Sequence, residues 1–379
     1  MVASSSIKSN TDLRLVYTPG VARVCKAIEA IPSLAREFTG IKNTVAIVTN
    51  GTAILGLGDI GCVPGMPVME GKSAIFSEFA GISAIPILVD TKDPEKFVET
   101  VCTIAGTFGA IQIEDVAAPE CFYITDEIDR RLDIPVMHDD QYGTATIVLA
   151  GLYSALIKTG KKMEHLNVCI LGAGAAGTAI ANLLLKAGVN DVVLCDRHGA
   201  ICKGRANMNG AKVQLAGWTN KRNISGDLAS AIMGTDLFVG CSGPNLVSKD
   251  MIRSMNPGPI VFALANPISE ISKDDAMAAG VAIYADGRTM NNAIAYPGIF
   301  RGALDSNATA ITIRMMQAAA KALAEIVPPG QLLPEMMDLN THRKVAEAVI
   351  KVARERVVES GEGNSDITAR NGGKGMKIC

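Results

Sequence analysis

The stretch NVCILGAGAAGTAIANLLLKAGVNDVVLCD, residues 167–196, decides how this chain is read. Its first apolar run, VCIL, is short and β-rich, as a buried strand requires. TAIANLLLKAG then carries a helical pattern, and DVVLCD reads as a second strand. Between the first strand and the helix lies Gly172-Ala173-Gly174-Ala175-Ala176-Gly177, a match to G-x-G-x-x-G. Glycines in that spacing allow a tight turn and a close backbone approach, and the helix start then faces a pyrophosphate with its free N–H groups. Asp196 closes the second strand where an acid can accept hydrogen bonds from adenosine ribose hydroxyls, the arrangement that favours NAD. Arg197 follows and could meet the 2′-phosphate of NADP instead. Gly172, Gly174, Ala175, Ala176, Gly177, Asp196 and Arg197 are therefore the expected cofactor-binding set.

Gly56-Leu57-Gly58-Asp59-Ile60-Gly61 matches the same pattern, but Pro64 and Pro67 stand where a helix would have to begin. Without a helix start the motif loses its phosphate-binding mechanism, so this loop is expected to serve something else.

Composition narrows the class. The 379 residues carry a formal net charge of −2 and no Lys/Arg-rich run, which argues against a nucleic-acid partner. The longest apolar stretches reach about half of the roughly 20 residues that a bilayer crossing needs, and no secretory h-region precedes Leu15. Nine cysteines without C-x-x-C spacing read as reduced thiols in a cytoplasmic protein. Cys195 and Cys241 fall on strands and are expected in the core, whereas His165, His198 and His342 are expected at the surface or in caps. With 37 glycines and 4% aromatic residues, the core must rest on aliphatic side chains joined by tight turns.

Further strands are expected at 44–49, 84–90, 109–115, 134–140, 236–241, 259–266 and 281–286, with helices at 94–108, 143–160, 308–327 and 341–358. The alternation predicts an α/β fold. Residues 1–140 form an N-terminal domain with a parallel sheet, and residues 141–305 a Rossmann-type, doubly wound dinucleotide-binding domain. The C-terminal helices, 306–360, pack back on both, and a polar tail occupies 361–379.

Two candidate strands end in acidic pairs, Glu114-Asp115 and Asp139-Asp140. Ligands gather at the carboxyl ends of strands in open α/β sheets, and neighbouring carboxylates need a cation or proton to compensate their repulsion. Hard oxygen donors of this kind suit Mg²⁺ or Mn²⁺.

The chain resembles the malic enzymes, particularly the short bacterial type. The motifs that carry the resemblance are YTPGVA (17–22), NGTAILGLGDIG (50–61), PVMEGKSAIF (67–76), IEDVAAPECF (113–122), HDDQYGTA (138–145), GAGAAG (172–177), ALANP (263–267) and NNAIAYPGIFRGAL (291–304). The resemblance implies oxidative decarboxylation of L-malate to pyruvate and CO₂ with NAD or NADP and a divalent metal, by way of metal-bound oxaloacetate and enolpyruvate. It further implies Tyr17 as general acid, Lys72 as general base supported by Asp139, and Glu114, Asp115 and Asp140 as metal ligands. Lys72, Asn266, Asn291 and Asn292 would contact substrate or cofactor, and the assembly would be a homodimer. For Lys72 to take a proton, its pKa would have to fall below the roughly 10.4 of a free lysine. Tyr142 stands where the short type usually has His, Thr52-Ala53-Ile54 replaces a carboxylate-binding Arg of the larger enzymes, and the stretch between Gly287 and Asn291 runs short. Two other readings stay open: a malolactic enzyme that releases lactate, and a dinucleotide-binding protein that has lost turnover.

Overall fold

The computed structural model describes residues 7–361. The polar tail from residue 362 onward lies outside the described residues.

Two sheets organise the chain. β1 (Thr44–Thr49), β2 (Ser83–Leu88), β3 (Ala110–Ile113) and β4 (Val136–His138) form a four-stranded sheet in the order β2-β1-β3-β4. All its pairings are parallel. Helices cover both faces, so β1 and β3 are apolar and buried almost throughout. The second sheet contains β5 (Asn167–Leu171), β6 (Asp191–Asp196), β7 (Gly199–Ala200), β8 (Leu237–Gly240), β9 (Ile260–Ala263) and β10 (Ile283–Asp286). Its order is β10-β9-β8-β5-β6-β7. The chain winds from β5 to β6 on one side and resumes at β8 on the other. This topological switch places a crevice at the carboxyl ends of β5 and β8, where the Gly172–Gly177 loop sits. The sheet is mixed, because the two-residue β7 runs antiparallel to β6.

The helix Thr144–Thr159 joins the two halves and is buried on nearly every side. One aliphatic core runs through it, from Val45 and Ile47 in the first sheet to Val168 and Ile170 in the second. The helix Ile313–Glu325 packs on it, and the helix Leu339–Gly361 packs on Tyr296–Asp305. His342 is not a surface residue: it is 1% exposed, stacked on Phe79 at 4.6 Å between ring centroids. Cys195 is buried on β6, and Cys241 follows β8 half-buried.

The glycine loop at 56–61 behaves differently from expectation. A helix does start directly after it, at Cys62, and continues to Ala80. Pro64 occupies the first turn, where backbone N–H groups lack intrahelical partners in any case, so its missing donor costs nothing there. Pro67 lies deeper and is tolerated inside the helix. An early proline therefore does not prevent a helix from starting here; its cost depends on its position within the first turns.

No helix among the described residues is long and apolar enough to cross a membrane.

Candidate active site

The acidic pairs converge. Glu114 and Asp115 follow β3, Asp139 and Asp140 follow β4, and these two strands are neighbours in parallel register. Asp115 adopts φ 53°, an uncommon left-handed conformation that Asp tolerates better than most residues. Its amide N–H donates to Asp140 Oδ2 at 2.9 Å, tying the two strand ends together. Beyond β4 the chain makes a five-residue π-helical turn, Asp139–Gly143, before the long bridging helix. This turn cuts short the strand expected to reach 140.

Lys72 enters from the middle of the helix Cys62–Ala80. Its Nζ pairs with Asp139 Oδ2 in a short hydrogen bond and with Glu114 Oε1 at 3.0 Å. The ring of Tyr296 lies under the same ammonium, 4.7 Å from Nζ to centroid. Glu114 also accepts from Gln112 Nε2 at 2.6 Å. Burial opposes the charge on Lys72, but Asp139 and Glu114 outweigh it and hold the amino group well above the usual lysine range. The required fall is therefore not met while four carboxylates face one ammonium. Burial likewise raises Glu114 and Asp139, and it lifts Asp115 to about 7 with Asp140 adding to the effect.

Glu114, Asp115 and Asp140 each present a carboxylate oxygen, all within 4.8 Å of one another. Asp115 Oδ2 is buried with no hydrogen-bond partner. Three hard donors, an orphaned carboxylate oxygen and excess negative charge fit a divalent cation of the Mg²⁺ or Mn²⁺ kind.

Gly143 is required where it stands. A Cβ there would lie 1.8 Å from Asp139 Oδ1 and 3.4 Å from Asn292 Cβ. Gly143→Ala should displace Asp139 from Lys72 and lower kcat at least about tenfold, since loss of positioning by about 1 Å can cost far more. Steady-state rates of a variant with unchanged circular dichroism check this.

The dinucleotide loop meets this acid turn. The helix Ala175–Lys186, which opens from the glycine loop, packs against Asp139–Gly143. No side chain caps it, which leaves its first N–H groups free for a phosphate. Gly177 holds the loop closed: a Cβ there would meet Gly172 O at 1.8 Å. Asp196 lies at the end of β6 as expected, while Arg197 is exposed and points Nε at His198.

The three asparagines part company. Asn266 follows β9, and its carbonyl lies 3.2 Å from where a Cβ on Gly56 would be, so the 56–61 loop borders the carboxyl ends of the second sheet. Asn292 sits beside Gly143. Asn291 is exposed and caps the turn after it, accepting from Ala293 N at 2.9 Å. Tyr17 stands apart from the Lys72 cluster, 66% exposed at the end of the helix Asn10–Val16.

Tyr296 was missed by the sequence reading. It is fully buried with its hydroxyl unpartnered. The only signal was its place in AYPGIF, inside a motif already matched as a whole.

A dinucleotide-type sheet whose phosphate helix packs on the turn that carries Asp139, itself paired with Lys72, defines a nicotinamide-dependent oxidoreductase. The description "Malic enzyme, N-terminal domain" matches residues 1–129, and "Malic enzyme, NAD binding domain" matches 141–290 and 282–354. The chain is 46% identical over 357 residues to the NAD-dependent malic enzyme of Geobacillus stearothermophilus, covering 92% of this chain and 74% of that one. It is 45% identical over 360 residues to the bifunctional malic/malolactic enzyme of Bacillus subtilis, covering 92% and 88%. The crystal structure of the malic enzyme from Pyrococcus horikoshii superposes with a TM-score of 0.88 at 40% identity, over 94% of this chain and 87% of that one. This chain belongs to the malic enzyme family.

Proposed function

We propose that the protein oxidises and decarboxylates L-malate to pyruvate and CO₂, reducing a nicotinamide dinucleotide. The observation that carries this reading is Lys72 held between Asp139 and Glu114, with the dinucleotide helix packed against the same turn.

Glu114, Asp115 and Asp140 would hold a divalent cation, which supplies Lewis-acid charge for the substrate hydroxyl and for the enolate formed on loss of CO₂. With the charge of that cation offsetting the carboxylates, Lys72 would give up its proton to solvent, and its neutral Nζ would then receive the proton of the malate C2 hydroxyl while hydride passes from C2 to the nicotinamide. Asp139 keeps the resulting ammonium paired and oriented. Asn292, beside the turn, and Asn266, beside the Gly56 loop, border the space between the two sheets and orient substrate and nicotinamide. Asn291, its side chain committed to the cap, orients that neighbour.

Tyr17 is assigned the return of a proton to C3 of the enol. The helices Asn10–Val16 and Gly20–Ala30 contain no buried residue and expose Leu13, Leu15, Val16, Tyr17 and Val21. A homodimer would cover that apolar face and bring Tyr17 out of solvent. With a division at 140/141 and helices 306–360 returning across it, the metal ligands would belong to the first unit and the dinucleotide loop to the second. Eight cysteines among the described residues are free thiols, consistent with a reducing, cytoplasmic compartment.

Tyr296 supports the Lys72 ammonium through its ring. A cation–π contact contributes about 0.5–2 kcal/mol, so Tyr296→Leu should lower kcat by about twofold to thirtyfold. Tyr296→Phe keeps the ring, loses only an unpartnered hydroxyl, and should stay within about twofold. Equal losses in both variants would assign the effect to the hydroxyl.

The Bacillus subtilis relative, named for malic and malolactic activity, favours one second reading: lactate formed without net dinucleotide reduction. Product analysis after incubation with malate separates the two.

A further inference from the structure

The acid that ends β6 is not free to read a ribose. Asp196 Oδ1 accepts from Arg205 Nη1 at 2.9 Å and from its neighbour His198 N at 2.8 Å. Asp196 Oδ2 accepts from Arg205 Nη2 at 2.7 Å and pairs with Lys212 Nζ at 2.7 Å. A carboxylate offers about four lone-pair positions, and all four are taken. An acid that selects NAD must accept from the adenosine ribose hydroxyls, and its bare charge also repels a 2′-phosphate. Here neither condition holds.

The surroundings are cationic instead. Arg205 and Lys212 outweigh the single charge of Asp196, and exposed Arg197 adds another positive group next to it. Arg205 is fixed by its fork onto Asp196 and by donating Nη1 to Gly199 O at 2.9 Å, and its buried Nε has no acceptor. Lys212 spends one of its three donors on Asp196 and remains partly accessible, with 24% of its side chain exposed. A ribose 2′-phosphate carries about −1.5 to −2 charges at neutral pH, as phosphate monoesters do, and makes charge-assisted bonds to such groups.

We propose that Arg205, Lys212 and Arg197, with Asp196 held as an internal counter-ion, form a 2′-phosphate subsite and make the protein selective for NADP over NAD. This rests on the dinucleotide site proposed above and deepens it by naming the dinucleotide class. The neutralised acid orients the two cations rather than contacting the ribose.

The test compares binding of 2′,5′-ADP with that of ADP to the full-length wild-type chain by titration calorimetry, alongside kcat/KM for NADP and NAD with malate and Mn²⁺. The expected result is at least about tenfold tighter binding of 2′,5′-ADP, and an equal or larger preference for NADP in kcat/KM, a factor worth about 1.4 kcal/mol. Lys212→Met should lower kcat/KM for NADP about tenfold or more while that for NAD changes within about threefold. Arg205→Met frees two acceptor positions on Asp196 and should raise relative use of NAD. That variant also loses bonds to Gly199 and Ala200 and could fail to fold, so Lys212→Met and the wild-type titration decide. Equal affinity for ADP and 2′,5′-ADP, or a kcat/KM for NAD at or above that for NADP, overturns the proposal. If 2′,5′-ADP is selected but neither dinucleotide is reduced with malate, the subsite stands and the proposed reaction fails.

Discussion

Lys72→Ala should lower kcat by about 10²–10⁴-fold, the range that a positioned proton-transfer group contributes. The loss follows from geometry: among the described residues, Lys72 Nζ is the one ammonium paired to both Asp139 and Glu114. Removing one partner of a buried ion pair also costs about 3–5 kcal/mol of stability, so the alanine variant confounds two effects. Lys72→Arg separates them. A guanidinium keeps the positive charge between the carboxylates but does not release a proton near neutral pH. It should remain folded, with dinucleotide binding intact by calorimetry, and still lose at least about a hundredfold in kcat. Retention of a tenth or more of wild-type turnover in Lys72→Arg would reduce Lys72 to a structural counter-ion.

Asp140→Asn should remove both the response to divalent metal and most of the activity. In the wild type, Mn²⁺ at a hundred times its dissociation constant should raise stability by about 2.7 kcal/mol, read as a shift in Tm. A chelator should abolish turnover, and added Mn²⁺ should restore it. Asn keeps an acceptor for the Asp115 amide, so the strand ends remain tied, but it withdraws one of three charges from the cluster. The Tm shift should vanish at the same metal concentration. An unchanged shift in both Asp140→Asn and Glu114→Gln would place the cation elsewhere.

Much of this architecture could be read from residues. DVVLCD and TVAIVT declared themselves as strands to the residue, because both are bounded by turns and apolar within. Strands next to the site were read too long, at 109–115 and 134–140, because the acids that end them continue an extended-looking pattern. The π-helical turn at Asp139–Gly143 has no periodicity signature of its own. The helix after Gly61 was hidden by prolines whose cost depends on position within the first turns. At the site, acidic pairs at strand ends were legible from local sequence. Side-chain contacts made by tertiary closure were not: Tyr296 under Lys72 joins the two halves of the chain, and Arg205 and Lys212 reach Asp196 only because the segment after β7 folds back on the end of β6. His342 shows the same limit, since its packing on Phe79 and the contact of its Nε2 with Met336 O, both products of tertiary closure, distinguish it from a surface histidine.

The most direct measurement incubates the purified full-length chain with L-malate, Mn²⁺ and NADP and follows products by NMR together with dinucleotide absorbance. Pyruvate and reduced dinucleotide in equal amounts, both abolished by Lys72→Arg, are the expected result. Lactate without reduced dinucleotide, or bound dinucleotide without any turnover of malate, would contradict it.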